Sequence, residues 1–318
     1  MSEIPFITEK TQEFLDNLNL HIKKPIYEMS PKDARDFLEN LQQKSYEEIG
    51  GYTQDKVITT NFGDINLRIF KPSKTRKKPP AILYIHGGGW VLGSKNSWDR
   101  FLRQLSKYTN TAIIFPEYSL SPEVKYPTAI NEIYSTLEYI YSNPTEFNIN
   151  PEKIIIAGDS VGANMATVTA LRSVIENGPK ISFELLLYPV TSSEMDTESY
   201  KTFANGPWLT QKSMEWFWDC YEPNRNKRKH AYISPLNANL SELKQMPKTL
   251  IITAENDVLK DEGKAYAKKL DEAGVDVMCV QVNGTCHDFM VLNALAHTNP
   301  VEIGFLICCA NIQSVLEN

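Results

Sequence analysis

Lys153-Ile154-Ile155-Ile156-Ala157-Gly158-Asp159-Ser160-Val161-Gly162-Ala163-Asn164-Met165-Ala166 joins a strand pattern to a helix pattern through a tight glycine-flanked turn. Its first five residues, Lys153–Ala157, form a β-branched apolar run, and its last four open a segment of helical period. Between them stands G-x-S-x-G, with a glycine two residues to either side of Ser160. A sharp strand-to-helix turn lifts the serine oxygen above a sheet, and side chains at the flanking positions would collide there. The helix that starts at such a turn aims free N–H groups at any anion forming beside the serine. With 15 glycines in 318 residues, random order yields this pattern about 0.05 times per chain, so it needs support from elsewhere.

Outward from that turn, Ala81–Ile85, Ala112–Pro116, Phe183–Tyr188, Thr249–Ala254 and Val275–Val282 read as further strands. All but the last are nearly continuous in apolar character, as expected when helices cover both faces of a parallel sheet. Helical patterns fall near 97–108, 129–142, 161–176 and 264–273, with Gly274 placed as the residue just past a helix end. This alternation predicts a doubly wound α/β sheet. Two regions stand outside it. Residues 1–50 are polar and helix-like, interrupted by Pro25 and Pro31, and residues about 195–245 are irregular and hold Trp208, Trp216 and Trp218. Helical pieces that do not extend the sheet often cover the site. The expected organisation is a cap segment over 1–50 and an α/β domain over 51–318, with a cap insertion at about 195–245.

A second signal, His86-Gly87-Gly88-Gly89-Trp90, follows the strand Ala81–Ile85. Random order would give it on the order of 0.0005 times. An ordered run of three glycines costs backbone entropy, and it lets the main chain approach a ligand closely. Fixed N–H donors there would stabilise the oxyanion of an acyl transfer. His86 reads as an anchor of this loop, together with Gly87, rather than as an acid or base.

The bulk numbers exclude other classes. A net charge of −6 argues against a general nucleic-acid binder. The basic run Lys74, Arg76, Lys77 and Lys78 runs straight into Pro79 and Pro80 and reads as a solvated loop. The start Met1-Ser2-Glu3-Ile4-Pro5 lacks the pattern of a signal peptide. No run reaches the ~18 consecutive apolar residues of a membrane span. Five cysteines, odd in number and without C-x-x-C spacing, fit reduced thiols in a cytoplasm and give no support to a metal site.

On these motifs the chain resembles the hormone-sensitive-lipase-like branch of bacterial esterases and lipases. The likeness extends through Glu117-Tyr118-Ser119-Leu120-Ser121-Pro122-Glu123, Tyr126-Pro127-Thr128-Ala129, Tyr188-Pro189-Val190-Thr191, Ser234-Pro235-Leu236 and Asp257-Val258-Leu259-Lys260-Asp261-Glu262-Gly263. It implies an α/β-hydrolase fold with an eight-stranded, mostly parallel sheet and a helical cap. Three positions depart from the family pattern: Val161 where alanine is usual, Val258 where proline is usual, and His287-Asp288-Phe289 where His-Gly-Phe is common. The first would narrow an acyl pocket, and the last bears on substrate preference.

Serine is a weak nucleophile and needs a base, which in turn needs a group to orient it. In α/β hydrolases the partners follow in the order serine, acid, histidine, each after a strand. Asp257 and His287 fit that order and register. Asp261 and Glu262 suit a helix start, Glu255 is out of register, and His21, His230 and His297 read as surface or packing residues. Glu117 is a candidate support for the glycine loop, equally readable as a surface residue. The expected catalytic residues are therefore Ser160, Asp257 and His287, with N–H groups of Gly88, Gly89 and Val161 as the oxyanion hole. Trp90, Trp208, Trp216 and Phe289 are candidate pocket residues, although the helical spacing around Trp216 also suits a buried face.

The expected activity is hydrolysis of short-chain acyl esters, small-molecule substrates, through an acyl-enzyme and without metal or organic cofactor. It should fall as pH drops through about 6–7, where the base becomes protonated. An amide or carbamoyl hydrolase with the same triad remains open, as does a non-catalytic small-molecule receptor on the same fold. The resemblance also allows a homodimer.

Overall fold

The computed structural model describes residues 6–22, 24–43, 49–73 and 78–317. Met1–Pro5, Lys74, Arg76 and Lys77, with the readings placed on them, lie outside the described residues.

Runs of apolar residues that helices can cover on both sides become the middle of the sheet. Its strands are β1 (Tyr52–Thr60), β2 (Gly63–Lys71), β3 (Ala81–Ile85), β4 (Ala112–Pro116), β5 (Ile154–Asp159), β6 (Phe183–Leu187), β7 (Thr249–Asn256) and β8 (Val277–Cys286). Every residue of β3, β4, β5 and β6 is buried. The order across the sheet is β1-β2-β4-β3-β5-β6-β7-β8. Strands β3 to β8 pair in parallel, while β1 and β2 form an antiparallel hairpin whose second strand pairs antiparallel with β4.

That hairpin is absent from the strands expected from sequence. β2 buries Ile65, Leu67 and Ile69 on one face, the period-two signature of a half-covered strand. β1 buries little beyond Ile58, so its apolar signal is weak.

From β3 the chain steps to β4 on one side and then crosses to β5 on the other. Open α/β sheets place ligands in the crevice at such a reversal, beyond the carboxyl ends of the strands. The glycine loop leaves β3 there, and Ser160 follows β5.

Pro31 does not interrupt a helix but starts one, Pro31–Gln42, where its missing N–H is not needed. Ser30 caps this helix by accepting the Asp33 N–H at 3.1 Å. It and the preceding helix Glu9–His21 lie over the carboxyl end of the sheet. Within 195–245 the main element is the helix Gln211–Tyr221, capped by Thr210 and burying Met214, Phe217, Trp218 and Tyr221.

The helix Asn299–Glu317 alone, among the described residues, is long and apolar enough by length and composition to cross a membrane. It packs against β6, β7, β8 and the helix Asp99–Thr109, burying Val301, Gly304, Cys308, Cys309, Ile312 and Leu316. Covering one face of the sheet accounts for these residues, while Ile303 and Leu306 on the same helix stay exposed.

Candidate active site

Ser160 sits at the turn between β5 and the helix Val161–Ile175, with φ 55° and ψ −120°. A side chain in that region stores roughly 1–3 kcal/mol of strain. The flanking glycines show why the turn is so tight. A Cβ on Gly162 would stand 2.1 Å from the Ile85 carbonyl oxygen, and one on Gly158 would stand 2.5 Å from the Gly162 backbone.

Asp257 follows β7 and His287 follows β8. The Nδ1–H of His287 donates to Asp257 Oδ2 at 2.7 Å, and Ser160 Oγ donates to His287 Nε2 at 2.9 Å. The other oxygen of Asp257 accepts the Leu259 N–H at 2.9 Å, which fixes the carboxylate. All three side chains are buried. Burial pushes the His287 imidazole pKa down, but the Asp257 and Asp288 carboxylates outweigh it and raise the group to about 9.

The glycine loop is held from beneath by Asp159, the residue before the serine. Its Oδ1 accepts the Tyr84 hydroxyl at 2.8 Å, the Trp98 indole N–H at 3.0 Å and the Gly87 N–H at 3.1 Å. A Cβ on Gly87 would fall 2.3 Å from Asp159 Oδ2, so the loop lies directly on this carboxyl. Burial, with Asp288 adding to it, raises Asp159 to about 8. Nothing in the motif as read from sequence gave Asp159 this task, although its place beside the nucleophile was a usable signal.

Gly88 and Gly89 have φ of 90° and 64°. Among the described residues no backbone carbonyl takes the N–H of either, and the N–H of Val161 belongs to a first helical turn, which lacks intrahelical partners. His86 lies between Phe115 and Tyr118, stacked on both. Burial lowers it to about 4, so it is neutral near pH 7. Tyr118 donates to the His86 carbonyl at 2.8 Å. Glu117 does not reach the glycine loop; it pairs with Lys95 at 3.3 Å.

Above these groups lies a cavity of about 500 Å³, reached by Ser160, His287, Gly88 and Gly89. Leu15 and Phe37 line it from the N-terminal helices, and Trp208 and Phe217 line it from the 195–245 segment. Sequence reading named no cavity residue in the N-terminal helices. Their amphipathic spacing marks a covered face but not what the face covers.

Four expectations about the pocket need correction. Trp90 is buried under the insertion, stacked on Tyr221 with centroids 4.3 Å apart and an interplanar angle of 2°. Trp216 turns away from the cavity and packs against Phe217, which takes its place in the lining. Phe289 is fully buried against Tyr188. The Val161 side chain is buried in the helix packing and does not line the cavity, so it narrows no pocket.

Comparisons with known proteins agree with this architecture. A family model described as alpha/beta hydrolase fold matches residues 82–291. A protein of Acanthamoeba polyphaga mimivirus described as an alpha/beta hydrolase is 42% identical over 307 residues, covering 96% of this chain and 87% of its own. An esterase of Gibberella moniliformis is 34% identical over 262 residues, covering 81% and 82%. The crystal structure of a thermostable esterase from Pseudomonas putida superposes with a TM-score of 0.96 at 38% identity, covering 99% of each chain. The chain belongs to the α/β-hydrolase-fold family, in its hormone-sensitive-lipase-like branch.

Proposed function

We propose that this chain is a serine carboxylesterase acting on short-chain acyl esters. One observation carries the reading: the hydrogen-bonded chain Asp257–His287–Ser160 ends at the floor of a cavity beside the N–H groups of Gly88 and Gly89. The esterases among its relatives support it.

In this reading His287 Nε2 takes the Ser160 proton as Oγ attacks the ester carbonyl. Asp257 keeps the imidazole in the tautomer whose Nε2 is free to accept, and stabilises the imidazolium. The N–H groups of Gly88, Gly89 and Val161 receive the oxyanion, each worth about 3–4 kcal/mol in comparable sites. His287 then gives its proton to the departing alcohol, and water repeats the attack on the acyl-enzyme. His86 and Gly87 support the loop from below. The chain's own residues supply every step.

The segments 1–50 and about 195–245 act as the cap over an α/β domain of residues 51–318. Their walls are apolar, which suits an acyl ester better than a charged acid. Five unpaired cysteines fit a cytoplasmic setting. The edge strand β8 exposes Met278, and the adjoining helix exposes Ile303 and Leu306, a face suited to pairing two copies of the chain.

The test is Ser160→Ala, which should fold normally and lose ester turnover by several orders of magnitude. A chromogenic ester series from two to sixteen carbons reads the acyl preference. Near-normal turnover by Ser160→Ala would end the proposal.

A further inference from the structure

The departure at position 288 leaves a carboxylate where it has a chemical consequence. Asp288 has φ 64°, a backbone state that glycine enters freely and most side chains avoid. Its Oδ2 accepts the Trp208 indole N–H at 2.9 Å, and its Oδ1 lies 3.4 Å from His287 Nε2. Apart from the triad histidine, it is the one ionisable acid or base among the described residues with carboxylate, amine or guanidinium chemistry that lines the cavity. Among the described residues its only ion-pair partner is His287.

Position decides which part of a substrate meets this charge. Nε2 must reach the oxygen of the departing alcohol to give it a proton, so a carboxylate beside Nε2 borders the alcohol half of the ester rather than the acyl half. With no lysine or arginine among the described residues of the cavity wall, this negative charge repels anions and attracts cations, and the aromatic faces of Trp208 and Phe217 favour the same sign.

We propose that Asp288 is a specificity-determining residue that makes this site prefer esters whose alcohol half is cationic, such as amino-alcohol esters. The inference rests on the ester-hydrolase reading above. Trp208 holds the carboxylate in place from the cap, so the preference depends chiefly on the charge at 288, with the aromatic faces adding to it.

The acetate esters of choline and of its uncharged isostere neohexanol are the probes. The parent enzyme should favour the choline ester in kcat/KM by about tenfold or more. Asp288→Asn keeps an acceptor for Trp208 and suits the positive φ, so it should fold and bring the ratio close to one. Trp208→Phe removes the hydrogen bond but not the charge, and should lower both rates while the ratio persists. Binding of the two esters to Ser160→Ala, by calorimetry, should show the same preference without turnover. A parent ratio at or below one, a ratio unchanged by Asp288→Asn, or equal affinities in Ser160→Ala would overturn the assignment. Hydrolysis of neohexyl acetate and its loss in Ser160→Ala test the esterase reading separately.

Discussion

The side-chain oxygen of Gln42 accepts the backbone N–H of Asn293 at 2.9 Å, joining the N-terminal segment to the loop that follows His287. The same amide donates to the Ser97 carbonyl at 2.9 Å and to the Val291 carbonyl at 3.1 Å. Asn293 answers by donating to the Gln42 carbonyl at 2.6 Å. One buried amide thus ties the N-terminal helices to the loops after both β3 and β8. Arg100 completes the tie, donating to the Met290 and Val291 carbonyls at 3.1 Å each.

Gln42→Ala should therefore destabilise the whole protein, because it orphans buried groups on two catalytic loops. Each unsatisfied buried group costs about 1–3 kcal/mol, so a total of roughly 2–4 kcal/mol is expected after partial relaxation. Urea unfolding measures it. A loss under about 0.5 kcal/mol would mean that the segment merely rests on the sheet.

Two glycines separate steric need from conformational convenience. At Gly162 a Cβ would meet the Ile85 oxygen at 2.1 Å and the His86 carbonyl carbon at 2.5 Å, both backbone. At Gly274, with φ 85°, it would meet nothing within 4 Å. Gly274→Ala should cost only about 1 kcal/mol from the left-handed backbone. Gly162→Ala should either prevent folding or abolish turnover, since it drives β3 and the nucleophile turn apart. Thermal unfolding and ester assays on the pair decide this, and equal effects would contradict it.

Asp159 gives a stability prediction with a definite sign. Its folded carboxyl is raised to about 8, whereas an unfolded aspartate titrates near 3.9. Between those values the folded chain holds a proton that the unfolded chain has released, so this group's contribution is full below about 4 and is lost as pH rises through about 8. Asp159→Asn retains an oxygen for Tyr84, Trp98 and Gly87 and has no proton to lose. Its stability relative to the parent should rise by roughly 3–4 kcal/mol between pH 5 and pH 8. Parallel pH profiles in urea unfolding would contradict the buried neutral acid.

The parts of the fold legible in sequence are those whose physics is local. β3, β4, β5 and β6 are apolar at nearly every position because both their faces are covered. The glycines at 87, 88, 89, 158 and 162 mark places where backbone meets backbone or side chain at close range. The β1–β2 hairpin was hidden because an edge pair with one wet face carries half the apolar signal. The cavity wall was the least legible part. Whether an aromatic side chain lines a cavity or fills a core depends on where a helix docks, and spacing gives only which residues share its face. Trp208 and Trp90 illustrate the difference: both have positive φ near 64° and 61°, yet one faces the cavity and the other is buried beneath Tyr221.

The pH–rate profile tests the electrostatics of the site, and here the structure shifts the expectation drawn from an ordinary histidine. The base works only when neutral, so kcat/KM should rise with pH through the pKa of His287 in the free enzyme. Burial alone would lower that value, but Asp257 and Asp288 together raise it to about 9. The acid limb should therefore lie well above the 6–7 of an unperturbed imidazole, displaced toward 9. Asp288→Asn removes one of the two carboxylates named and leaves Asp257, so its limb should move back by about half a pH unit or more. Asp257→Asn is less informative, since it also removes the partner that fixes the tautomer. Profiles measured with a neutral ester avoid any titration of the substrate. A limb that stays at 6–7 in the parent, or one that Asp288→Asn leaves in place, would show that the Asp288 carboxylate does not act on Nε2 across the 3.4 Å that separates them.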